Sequence, residues 1–298
     1  MANSLTHVSL DELLALRARA SRVRLAPSHS QALAAGQQAS HLYGRGMDYA
    51  ESRAYQAGDD IRRLDWRLTA RSGKLHTKIF QEDRQGCLLI LLDTHASLDF
   101  GTRGHFKSVT AARAAALAGW LAAQAGEQLG LACFGRSDLL QKPAAGKRGA
   151  LALCRALVTC QQAQVANTSL AASLKQVRGL PQRPSRVLLI SDGFQLGAED
   201  EQALRVLTKH SRLALLGVAD QLEAAPPAAG RYALEVADRT LSLSLFGRER
   251  DAFFQQLHQG QERLASIAQR QGLSYCQVTA SDDPLPAITQ LLGRGLNR

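Results

Sequence analysis

Two carboxylates and two hydroxyls stand where a hard divalent cation could be held. Asp93 and Ser97 share the stretch Asp93-Thr94-His95-Ala96-Ser97, which follows the apolar run beginning at Cys87. Thr168 lies in Asn167-Thr168-Ser169, just before a segment that reads as a helix. Asp192 follows the apolar run 186–191 in Ser191-Asp192-Gly193. Oxygen donors of this kind suit Mg²⁺, which keeps several waters and takes few protein ligands. The competing reading is that Asp93 and Asp192 merely cap the helices that follow them.

The elements around these residues decide whether they meet. Residues 87–92 are continuously apolar, the pattern of a parallel strand buried on both faces. Further strands are predicted at 129–134, 186–191, 212–219 and 274–278, with short ones at 232–236 and 241–245. Helices are predicted at 107–124, 149–159, 169–177, 200–209, 249–271 and 284–292, and 224–228 reads as a loop. Such alternation predicts an α/β fold with a doubly wound, mostly parallel sheet. In an open sheet of that kind, groups at the carboxyl ends of the strands line the ligand crevice near the reversal of strand order. Asp93, Thr168 and Asp192 are all predicted there.

Near the N-terminus, Ser9 is a plausible N-cap, with Glu12 at the capping-box position and Leu10, Leu13, Leu14 and Leu16 forming a helical stripe. This helix is expected to pack on its own domain rather than on a partner or a membrane. Polar, small residues make 27–43 loop-like.

Residues 44–82 then concentrate Gly, Asp, Arg, Trp and Tyr at turn signals and in short strand-like pieces such as 75–80. They predict a small β-rich subdomain before the first strand of the main sheet. Arg53, Arg62 and Arg71 are expected to pair with Asp59, Asp60 and Asp65, with Tyr55 and Trp66 packed against the guanidinium planes. Buried charges persist when paired, so this network is expected mainly to fix structure, direct partner contact being the other reading. The chain thus divides into an N-terminal helix and linker (1–43), the β-rich piece (44–84) and the α/β domain (85–298).

Composition and missing motifs narrow the function. The sequence has no GxxxxGK[ST] phosphate loop, no GxGxxG after a strand, no HExxH and no GxSxG elbow. The five cysteines fall mostly in apolar runs, without CxxC or zinc spacing, and read as reduced core residues of a cytoplasmic protein. No signal peptide and no apolar run of membrane-spanning length is present, so membrane contact would be peripheral. A net charge of +10 leaves nucleic acid open as a partner. Asp93 and Asp192 with the arginines would then belong to a metal-dependent phosphodiester hydrolase or nucleic-acid binder. Against this stand the absence of an obvious general base, of a dense Lys/Arg stripe and of interleaved aromatics.

The residues also carry a resemblance. Asp93-x-His95-x-Ser97 with Thr168 and Asp192 resembles the metal-ion-dependent adhesion site of von Willebrand factor A-type domains. That pattern is Asp-x-Ser-x-Ser with a distant Thr and a distant Asp. The stretch 44–82 looks like the signature of the bacterial family called domain of unknown function 58. Its elements here are Gly44 and Gly46; Arg53, Tyr55, Gly58, Asp59, Asp60 and Arg62; Asp65 and Trp66; Ala70 and Arg71; and Glu82. Ser97-Leu98-Asp99-Phe100-Gly101, Lys107 and Gly130-Leu131 continue the match.

The resemblance implies a von Willebrand A-like domain with a preceding β-rich piece. It also implies a non-enzymatic role with a MoxR-type AAA+ ATPase, or its client, in chaperone-like maturation or assembly of other proteins. His95 departs from the adhesion-site pattern, since it stands where the first Ser supplies a hydroxyl ligand. Imidazole is a softer donor that favours Zn²⁺, Ni²⁺ or Cu²⁺. Three readings follow: a weakened or lost Mg²⁺ site, a changed metal preference, or a His95 turned away. The first is favoured.

Overall fold

The computed structural model describes residues 5–23, 47–56, 58–82, 86–162, 166–236 and 239–293. In chain order the elements are helix α1 (Leu10–Ala20), strand β1 (Met47–Ala54), helix α2 (Trp66–Ser72), strands β2 (His76–Glu82) and β3 (Cys87–Thr94), helix α3 (Lys107–Gln124), strands β4 (Gln128–Gly135) and β5 (Leu140–Ala145), and helices α4 (Gly146–Gln162) and α5 (Leu170–Val177). Then come β6 (Arg186–Ser191), α6 (Ala198–Leu207), β7 (Arg212–Ala219), α7 (Gln221–Ala224), β8 (Gly230–Val236), β9 (Arg239–Leu245), α8 (Gly247–Gln271), β10 (Ser274–Thr279) and α9 (Leu285–Gly293). Two units form, residues 30–85 and residues 1–29 with 86–298.

The larger unit is built on a six-stranded sheet in the order β10-β7-β6-β3-β4-β5. Every pairing in it is parallel except β4 with β5. Alternation along β3 divides the core: Leu88, Ile90 and Leu92 face one layer with Leu13, Leu117, Leu153 and Leu292. Leu89 and Leu91 face the other layer with Leu174, Leu204 and Leu264. Both faces are covered by helices, which is why β3 reads as an uninterrupted apolar run. This is the predicted α/β architecture, with helices on both faces of a mostly parallel sheet. Strand β5 was not foreseen because Pro143 removes a ladder donor; an edge strand tolerates that loss.

The chain runs outward from β3 to β4 and β5, then crosses back to β6 on the other side of β3. The reversal of strand order therefore falls between β3 and β6, and Asp93 and Asp192 sit at its two lips.

Helix α1 belongs to the sheet unit rather than to a separate segment with the linker. Ser9 Oγ accepts the Glu12 N–H at 3.2 Å, and Leu13, Leu16 and Ala20 are buried. Trp120 of α3 donates its indole N–H to the Leu13 carbonyl at 3.0 Å, and Glu12 pairs with Arg113. The expectation for 27–43 lies outside the described residues, as do Gly44 and Gly46. Among the described residues no helix is long and apolar enough to cross a membrane.

The smaller unit pairs β1 with β2 antiparallel, with a register shift between Tyr49 and Glu51. Between them lies α2, a helix that the expected β-rich piece did not include. Asp65 caps that helix by accepting the Leu68 N–H at 3.1 Å, and Gly73 closes it at φ +69°.

Candidate functional site

Asp93 is the last buried residue of β3, and both of its oxygens are engaged. Oδ1 accepts the backbone N–H of His95 at 2.9 Å and the His95 Nδ1 at 2.7 Å. Oδ2 accepts the Ser191 hydroxyl at 2.6 Å. A carboxylate can only accept, so the imidazole hydrogen sits on Nδ1. Burial pushes the Asp93 carboxyl upward, against the pull of His95 and Ser191, and the nearby Asp192 adds to the rise. For His95, burial opposes protonation, but the Asp93 carboxylate prevails and the ring is held above its ordinary 6.5. The ring also meets Phe134 edge-on, with centroids 5.8 Å apart.

Gly135, at the end of β4, is what lets His95 lie there. It has φ +98°, and a Cβ on it would fall 2.6 Å from the His95 nitrogen. Thr168 is held beside the same glycine by two backbone hydrogen bonds, 2.7 Å and 2.9 Å. Ser169 next to it caps α5 through the Ala172 N–H. The structure thus brings Asp93, His95 and Thr168 to one corner of the sheet's carboxyl edge. Ser97 follows in a single 3-10 turn, Ala96–Leu98, and its hydroxyl is buried without a hydrogen-bond partner among the described residues.

Asp192 faces a different partner. Its Oδ1 accepts the Phe194 N–H at 3.2 Å, and its Oδ2 accepts the ammonium of Lys107 at 2.9 Å. Lys107 also donates to Glu223 at 2.6 Å, and all three side chains are buried. Burial pushes the Glu223 carboxyl up, while Lys107 pulls it down. Asp93 and Asp192 do not cap helices. Each closes a local turn with the N–H two residues on.

A divalent ion at this edge needs carboxylate oxygens turned outward. Those of Asp93 and Asp192 are committed to protein donors, and among the described residues no group of three or more His, Cys, Asp or Glu side chains is arranged to hold a metal. Among the described residues the hydroxyls of Ser97 and Thr168 are left over, and two neutral oxygens without an outward carboxylate do not fit a Mg²⁺ ion.

Next to His95 a small pocket of about 70 Å³ opens, lined among others by Asp93, His95, Asp99 and Arg136. Arg136 pairs with Asp99 and donates from Nε to the Thr94 carbonyl at 3.1 Å. Neither residue was singled out as a site residue from the sequence, because an arginine after a strand has no distinguishing spacing. Lys107 and Glu223 were also missed as a pair. The legible signal was a lysine opening an otherwise apolar, Ala-rich helix.

In the smaller unit the signature residues arrange differently from the expected network. Arg53 pairs with Asp59 at 2.7 Å, and Asp59 also accepts from the Gln56 N–H, which holds its carboxyl below the usual range. Asp60 and Asp65 instead accept backbone N–H groups of Arg62 and Leu68, and Asp65 also takes the Ser52 hydroxyl at 2.8 Å. Backbone donors at the start of a turn lie nearer than the end of an arginine arm, so they win these carboxylates. Among the described residues Arg62 and Arg71 make no ion pair, and neither Tyr55 nor Trp66 lies on a guanidinium plane. Trp66 opens α2 with 65% of its surface exposed.

Fold and edge together define an α/β domain with a mostly parallel sheet and a polar carboxyl edge where the strand order reverses. The model of the family described as Protein of unknown function DUF58 matches residues 51–274, and the chain belongs to that family. Two relatives, each described as an uncharacterized protein, are Rv1480 of Mycobacterium tuberculosis and Mb1516 of Mycobacterium bovis. Each is 30% identical over 197 residues, 65% of this chain and 62% of the relative, so the match spans under two thirds of their length. Among solved structures, BatB from Bacteroides thetaiotaomicron aligns with a TM-score of 0.47 at 14% identity, covering 70% of this chain and 98% of BatB. A von Willebrand factor type A protein from Catenulispora acidiphila aligns at 0.42 and 11% identity, over 74% of this chain and 44% of its own.

Proposed function

We propose that the carboxyl edge of the sheet around His95, Thr168 and Arg136 is a docking face for another protein. In this reading the chain works without catalysing a reaction, alongside a MoxR-type AAA+ ATPase or its client in the cytoplasm, in the maturation or assembly of other proteins. The observation that carries the reading is the size of the niche beside His95. At about 70 Å³ it admits the tip of one side chain, whereas small-molecule sites run to hundreds of cubic ångströms. Its lining holds the His95 ring, whose Nδ1 faces Asp93, and Arg136, which pairs with Asp99; the remaining N–H groups of both suit an acceptor oxygen on a partner's side chain.

The AAA+ association rests on the family resemblance. The test is a pull-down of a MoxR-type ATPase from the same organism with the full chain and with Thr168→Ala and Arg136→Ala. Retention by the wild type and loss by both variants is expected. Equal retention by all three would place the docking surface elsewhere.

A further inference from the structure

The Asp192 carboxylate already has a cation. We propose that the ammonium of Lys107 permanently fills the place a divalent metal would take at this edge, so that the face is metal-independent by construction. This goes beyond the docking proposal and does not depend on any partner.

The surroundings of Lys107 are those of a built cation site. Its Nζ lies 2.9 Å from Asp192 and 2.6 Å from Glu223. The rings of Phe194 and Phe100 lie over it at 5.2 Å and 5.9 Å. Two carboxylates and two aromatic faces make a shell that would suit a free monovalent cation equally well.

The shell is itself held in place. The other Glu223 oxygen accepts the Asp220 N–H at 2.9 Å. The Asp220 carboxylate in turn accepts the Thr102 N–H at 2.9 Å and the Thr102 hydroxyl at 2.6 Å. The turn after Asp192 is fixed by Gly193 at φ +81°, where a Cβ would lie 2.1 Å from the Gly260 carbonyl oxygen of α8. Four elements thus converge on one ammonium.

The placement is not what helix chemistry alone would choose. Lys107 is the first residue of α3, and a positive charge at a helix N-terminus opposes the helix dipole. Burying it there requires compensation, which Asp192 and Glu223 provide. An ordinary lysine at that position would extend its head into water; this one is 0% exposed.

The experiment uses the full chain, stripped with EDTA, and reads thermal unfolding and calorimetric binding with Mg²⁺, Mn²⁺ and Ca²⁺. The wild type is expected to show neither heat of binding nor a shifted midpoint. Lys107→Ala leaves Asp192, Glu223 and the neighbouring Asp93 as buried carboxylates. It is expected to melt earlier in EDTA and to recover with a divalent ion, saturating at about one ion per chain.

If that variant does not fold, Lys107→Ala with Glu223→Gln keeps the same readout with less buried charge. A wild type that binds Mg²⁺ and loses it on Asp192→Asn would overturn the proposal. So would folded Lys107 variants that ignore every divalent ion. Both results stand apart from the fate of the docking face, since no partner is present.

Discussion

Lys107→Met is the perturbation with the largest consequence the structure allows. The substitution keeps most of the side-chain volume while removing the charge, so packing changes little and two buried carboxylates lose their partner. Removing one member of a buried ion pair costs about 3–5 kcal/mol, because the remaining charge is left uncompensated. With two carboxylates orphaned, the upper part of that range is expected. For a domain of this size the loss corresponds to a fall of roughly 6–20 °C in the unfolding midpoint.

The triple variant Lys107→Met, Asp192→Asn, Glu223→Gln removes all three charges together. Buried pairs replaced as a unit are often neutral to stability, so it should recover most of the Lys107→Met loss and lie within about 1 kcal/mol of the wild type. The assay is urea unfolding followed by tryptophan fluorescence in a Trp66→Phe background. The sequence holds two tryptophans, so Trp120, buried and bonded to the Leu13 carbonyl, then reports the sheet unit alone. The reasoning is refuted if Lys107→Met costs under about 1 kcal/mol, or if the triple variant falls as far as the single one.

Other consequences are independent of that triad. The His95 ring is held above 6.5 in the folded protein. The pair's contribution is therefore complete below the ordinary 6.5 and is lost as pH rises through the raised value. The stability gap between wild type and His95→Gln should accordingly be widest below 6.5 and shrink as pH rises above it. A gap that grows with pH would contradict the assignment. Leu13→Ala should cost the sheet unit about 2–5 kcal/mol and red-shift Trp120, since Leu13 is wholly buried; an unchanged midpoint would mean that α1 is not integral. Asp65→Ala removes the cap of α2 and should destabilise the smaller unit by about 0.5–2 kcal/mol, read by Trp66 fluorescence, with Trp120 unaffected.

The sequence made the central sheet legible because burial on both faces leaves an unambiguous trace. The runs 87–92, 186–191 and 212–219 are apolar at every position or nearly so, and the strands fall there. Ser9 with Glu12 marked α1 for the same reason: a capping serine before a leucine stripe has few other uses.

What escaped were elements whose signals conflict. Pro143 hid β5, and α2 is a short helix flanked by strand-like and turn residues, although Asp65 and Gly73 mark its ends. The candidate site was half legible. That Asp93, Thr168 and Asp192 would reach one edge followed from strand ends. Which cation Asp192 would face depended on Lys107, whose second partner Glu223 lies 116 positions further along the chain. No local spacing links them. In the charged signature Arg53 does pair with Asp59, whereas Asp60 and Asp65 differ because an aspartate before a turn serves the backbone as readily as it serves an arginine.

The docking face is tested most directly by calorimetry between the full chain and a purified MoxR-type ATPase, in EDTA and without nucleotide. Binding by the wild type under these conditions is predicted, with Arg136→Ala and Thr168→Ala each weakening it by about tenfold or more, the loss of one well-placed contact. Binding that requires Mg²⁺, or that both variants leave unchanged, would contradict a metal-independent face at the carboxyl edge of the sheet.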